Sequence, residues 1–137
     1  MPDEPEMTAP VLVKILGLLL ILFGVFAGAG SLFLWGQGFL FAFPQDIPLA
    51  TPIADFFINF PASILAGIGL WRMRRLGYVA AQFVAGFYIY ASVLIFVEMF
   101  QGKLPLTPEI WAPQVLAVVV GLALVLILWP LRDRFQG

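Results

Sequence analysis

Apolar residues in this chain come in long unbroken runs, not at the spacing of a helix or strand with one wet face. The first run, Ile15 to Trp35, is long enough at about 1.5 Å per residue to cross a hydrocarbon core of about 30 Å. It predicts a helix over 14–35, with Lys14 snorkelling at its start. Ala27-Gly28-Ala29 imitates a signal-peptidase site, but the preceding residues are acidic and the run is too long, so the helix is expected to be retained. Gly36, Gly38, Pro44, Pro48 and Pro52 then forbid a regular helix. Within that connection Phe39-Leu40-Phe41-Ala42-Phe43 is too apolar for a solvated loop; it is expected in the membrane interface, re-entrant, or against a partner.

A second run predicts a helix over 53–71, entered at Thr51-Pro52 and kinked at Pro61, which frees a backbone carbonyl. The basic cluster Arg72-Met73-Arg74-Arg75 ends it. A third span is predicted over 76–98, closed by Glu98, Gly102 and Pro105, and a fourth over 111–131, with Pro113 in its first turn and Pro130 near its end. Residues 1–10 are polar and proline-bearing and are expected to be a disordered tail. Residues 11–137 then form a single domain without an internal repeat.

Composition turns these helices into membrane helices. Of 137 residues, 62% are apolar and 11% charged, with mean hydropathy +1.02. A soluble domain carries about 45–50% and about 25% respectively. The fold class expected is therefore an all-α membrane protein, a four-transmembrane-helix bundle. Charge sets its sidedness. With four spans, Lys14, Arg72, Arg74, Arg75, Arg132 and Arg134 share one side, and only Lys103 lies on the other. The positive-inside rule makes the first side, with both termini, cytoplasmic. Trp35 and Trp111 fall at outer ends, and Trp71 and Trp129 at inner ends, as an aromatic belt requires. A bacterial or archaeal cytoplasmic membrane is the expected location.

Small residues mark where helices can approach closely: Gly17, Gly24 and Gly28 on the first span, Ala81 and Ala85 beside Gly86 on the third, Ala117 and Gly121 on the fourth. Chemistry is narrowed by absence. There is no Cys and no His, which removes thiolate catalysis, disulfides, Cys-type zinc and iron–sulfur sites, and the commonest general base and metal ligand. No phosphate loop, metal pattern or nucleophile elbow is present, so no enzyme activity, cofactor or metal is expected, and nothing points to nucleic acid.

Polar residues inside spans are the remaining candidates: Asp55, Asn59, Ser63, Gln82, Tyr88, Tyr90, Ser92 and Glu98. Folding the second and third spans about Arg74–Arg75 puts Asn59 level with Tyr90, and Asp55 near Glu98, so an outer polar site of Asp55, Asn59, Tyr90 and Glu98 is geometrically possible. The plainer reading solvates both acids at helix ends. Gln82 is expected to bridge helices. Arg72, Arg74 and Arg75 could contact an anionic lipid or a partner's acidic loop, beyond orienting the chain. Length and span number are similar to those of small multidrug transporters, but these need a carboxylate in the first helix and here that helix has none. The function expected is a non-catalytic accessory or structural subunit, packed in the bilayer against other membrane subunits or copies of itself. A small transporter or channel using the outer polar site is the alternative.

Overall fold

The computed structural model describes residues 9–36 and 51–137. Most of the expected N-terminal tail and the apolar stretch 39–43 lie outside the described residues. Helix α1 runs Val11–Gly36, beginning three residues before the predicted span because Pro10 accepts the Lys14 amide and opens the first turn. Ala9 is already buried in the core. The second rod is built from three contiguous pieces: α2 (Thr51–Ala54), a π-helical segment (Asp55–Asn59) and α3 (Phe60–Trp71). Helix α4 (Arg75–Phe100) and helix α5 (Pro108–Leu128) follow, and a 3-10 turn, Trp129–Arg134, ends the last rod where Pro130 lacks a donor. Among the described residues there are no strands, and α1, α4 and the last rod are each long and apolar enough to cross a membrane.

The π segment has a local cause. Pro61 has no N–H, and in a regular helix its ring would press on the carbonyl of Phe57. The turn before it widens: the Phe60 amide bonds Asp55 O, five residues back rather than four. The kink expected from Pro61 therefore takes the form of a π turn. It also carries Asp55 and Asn59.

Two tight turns reverse the chain with the same chemistry. After α4, Gly102 is left-handed at φ 71°, the Gly102 amide bonds Met99 O and the Lys103 amide bonds Glu98 O. After α3 the same pair of bonds is made by Met73 to Leu70 O and by Arg74 to Gly69 O, with Met73 left-handed at φ 49°. A side chain is unfavourable in that conformation, but Met73 is almost wholly buried and the burial offsets it. The chain's end returns to this turn. Gln136 N donates to Met73 O, Arg75 N donates to Gln136 O, and Phe135 packs on Tyr78 with ring centroids 5.3 Å apart.

In sequence order each rod packs on the next, α1 on α3, α3 on α4 and α4 on α5, whereas α1 and α5 barely meet. Small residues make the seams. A Cβ on Gly67 would strike Gly17 O at 2.5 Å, one on Gly24 would meet Phe60 O at 3.1 Å, and one on Gly121 would meet Ala85 O at 3.1 Å. Gly69 and Gly77 touch backbone to backbone beside the arginine turn. The glycine stripe of α1 and the alanine–glycine stripes of α4 and α5 are thus intramolecular; Gly86 has open space in front of it.

Packing is uneven along the rods. Val13, Leu16 and Leu20 of α1 meet Leu70, Val84, Leu124 and Leu128 in a closed core at the arginine end, capped by Met73 and Phe135. Among the described residues no comparable apolar core fills the other half. Gln82 Nε2 bonds Leu124 O at 3.3 Å between the two regions, the helix-to-helix tie expected of it.

Candidate functional site

Where α1 and α5 diverge, away from the arginine turn, they leave a cavity of about 1150 Å³. Leu22, Phe26 and Leu34 of α1 face it, with Phe87 and Ile95 of α4 and Leu116 of α5. Its wall is apolar apart from a few groups at defined places. Ser31 bonds back to Ala27 O at 2.8 Å within α1 and so presents little free polarity. Ser92 donates to Gln114 Oε1 at 3.3 Å, linking α4 to α5.

The other polar groups form one connected chain. Asn59 Nδ2 donates to Asp55 Oδ1 at 3.0 Å, Ser63 Oγ donates to Asn59 Oδ1 at 2.7 Å, and Ser63 Oγ lies 2.9 Å from Tyr88 Oη. Ser63 has a single proton and spends it on Asn59, so Tyr88 must be the donor to Ser63. All three bonds then run one way, from Tyr88 through Ser63 and Asn59 to Asp55. Each donor is polarised by the next, and the series ends on a carboxylate, which accepts only. Ser63 is fully buried and Tyr88 is 4% exposed, while Asp55 is half-buried at the cavity wall. Asp55 Oδ2 accepts no hydrogen bond from any described residue.

Spacing explains the ladder. Asp55, Asn59 and Ser63 recur every four residues, across a π turn that brings them into line on the side of the rod facing α4. Phe23 of α1 and Phe87 of α4 pack on the Tyr88 ring, at 5.8 and 6.4 Å between centroids, and hold its hydroxyl towards Ser63.

Depth along the sequence groups Asp55, Asn59, Tyr90 and Glu98. The structure brings the first two together but not the second two. Tyr90 is 66% exposed and, being two residues from Tyr88, points about 200° away from it around α4. Glu98 is half-buried near the helix end, off the cavity wall. Their places are taken by Ser63 and Tyr88, both among the polar residues of the predicted spans, and by Gln114, which stands directly after Pro113 near the start of the predicted fourth span and carries no signal of its own. Arg72, Arg74 and Arg75 are all exposed at the sealed end, and none forms an ion pair among the described residues. Those residues hold no grouping of acids able to ligate a metal ion. The chain matches no protein-family model, and no curated protein or solved structure is similar to it.

Proposed function

We propose that this chain is a non-catalytic, multi-pass membrane protein that holds a small, largely apolar ligand in the cavity between its rods, as a small transporter or a ligand-binding subunit. The observation that carries this reading is the cavity itself: about 1150 Å³, apolar-walled, closed at one end by a dense core and furnished with one polar ladder. Ligand sites are pockets of about 300–1,000 Å³ with a few fixed polar groups, and this one is slightly larger than that range. Among the described residues the ionisable groups on the wall are Asp55 and Tyr88, a set that favours holding a ligand over making bonds.

The bilayer follows from the surface. Leu, Val, Phe and Trp side chains are exposed all round the rods, which a water-facing protein does not tolerate. Thr51–Trp71, taken as one broken rod, is also about 30 Å long and supplies a fourth crossing. Six of the seven basic residues lie at the sealed end, so that end is assigned to the cytoplasmic side, where Arg72, Arg74 and Arg75 meet anionic headgroups. The cavity then sits in the outer half of the membrane. Because the chain has no Cys, single reporters test this directly: Leu106→Cys is expected to react with an impermeant maleimide in intact cells, and Gln136→Cys only after permeabilisation.

Native mass spectrometry of the gently extracted protein, with an Ala91→Trp variant that fills the cavity, tests the ligand. A stoichiometric small molecule on the wild type, absent from the variant, supports the reading. An empty wild type bound to another membrane polypeptide would return the function to that of an accessory subunit.

A further inference from the structure

The charge of the wall restricts what the cavity can hold. Asp55 is the one carboxylate on it, and no Lys or Arg side chain reaches it among the described residues. The sequence between α1 and α2, residues 37–50, contains Asp46 and no basic residue. Near the opening stand Glu98, Lys103 and Glu109, of which Lys103 is exposed and makes no ion pair among the described residues. An anionic headgroup in this cavity would thus face a carboxylate with no cation on the wall to compensate it. A cation would face its natural partner.

The hydrogen-bond ladder adds direction. Three donors in series deliver their protons towards Asp55 Oδ1, and Oδ2 is left without a donor from the described residues. A carboxylate supported on one oxygen and open on the other, at the edge of an apolar chamber, is complementary to an N–H donor carrying positive charge. Apart from Ser31 and the Ser92–Gln114 pair, whose hydrogen bonds are made within the wall, the remaining surface, with Leu22, Phe26, Leu34, Ile95 and Leu116, is hydrocarbon and aromatic. Among the described residues α1 and α5 scarcely touch beside that surface, which leaves length between them for an apolar chain.

Resting on the ligand-binding reading above, we infer that the ligand is a cationic amphiphile: an amine head seated on Asp55 Oδ2 and a single apolar chain laid along the α1–α5 opening. Charge at an apolar site is costly unless paired, so each partner supplies what the other lacks.

Three probes of equal chain length separate the possibilities: dodecylamine, dodecanol and dodecanoate, titrated against the full chain in nanodiscs of zwitterionic lipid, with Ala91→Trp as the cavity-filled background. Dodecylamine is expected to bind at least tenfold more tightly than dodecanol, and dodecanoate more weakly than either. In Asp55→Asn the amine and the alcohol are expected to bind alike, whereas Asp55→Glu keeps the preference for the amine. If all three bind the wild type equally and Ala91→Trp removes them, the cavity stands and the assignment of a cationic head is wrong. If none binds above the Ala91→Trp background, the ligand-binding reading itself is overturned. The comparison of probes on the wild type needs no variant at Asp55, so a folding defect in Asp55→Asn leaves the result decisive.

Discussion

At the scale of single residues, position in a hydrogen-bonded series matters more than the size of the group removed. Tyr88→Phe deletes the first donor of the ladder; Ser63 still donates to Asn59, so the loss is one net hydrogen bond, about 0.5–1.5 kcal/mol. Ser63→Ala removes a single oxygen yet strands two groups, the Tyr88 hydroxyl and Asn59 Oδ1, in a buried site. Unsatisfied buried groups cost about 1–3 kcal/mol each, so the smaller truncation is expected to be the more destabilising. Thermal unfolding of the two variants in one detergent gives the order, and an equal or smaller loss for Ser63→Ala would mean the ladder is not a connected unit. Glycines follow a parallel logic. Gly77→Ala would drive a methyl into the Gly69 backbone, which cannot rotate away, and is expected to cost at least the ~1–3 kcal/mol of an overpacked core. Gly86→Ala meets nothing within 4 Å and gains helix propensity, so it is expected to be neutral or stabilising in the same assay.

At the scale of elements, Pro61 and the π segment are one device. The extra residue in that turn rotates everything before it by about 100° relative to a continuous α-helix. Pro61→Ala restores a donor and removes the clash, and the turn is expected to relax to α geometry. Proline costs about 3 kcal/mol in a helix interior, so melting temperature should rise or hold, while Asp55, which precedes the turn, is re-aimed relative to Ser63 and the cavity and the preference for dodecylamine over dodecanol falls. A stabilised variant that keeps its preference would detach the π turn from the site. This also shows what the sequence does and does not disclose. Run length, proline positions and the arginine cluster locate the spans to within about three residues, because a hydrocarbon core constrains length and a turn needs its chemistry. Azimuth is another matter. These helices are apolar on every side, so no polar face reveals which way a residue points. Depth sets Asn59 about level with Tyr90, yet it is Tyr88, on the opposite side of α4, that joins the ladder.

At the scale of the whole molecule the division of labour is along the rods. One half is a packed core tied by the arginine turn and the returning Gln136; the other half holds an open chamber between helices that scarcely touch. A bundle optimised only for stability would close both halves; in the bilayer proposed above, close packing decides whether helices associate, because lipid gives little hydrophobic incentive either way. The two halves therefore respond differently to the same truncation. Leu124 is fully buried, and Leu124→Ala is expected to cost about 2–5 kcal/mol, because it opens a hole that rigid neighbours cannot fill. Leu116, eight residues before it on α5 and 49% exposed, lines the chamber. Leu116→Ala enlarges a space that already exists, and is expected to lower stability by less than about 1 kcal/mol, within the range of substitutions away from a packed core. Its effect belongs instead to binding, where loss of wall surface should weaken dodecylamine and dodecanol by the same factor. Unfolding and titration of these two leucine variants side by side separate the halves: a large stability loss at Leu116 would show that the chamber is closed by packing, and a selective loss of dodecylamine there would place the charged head away from Asp55.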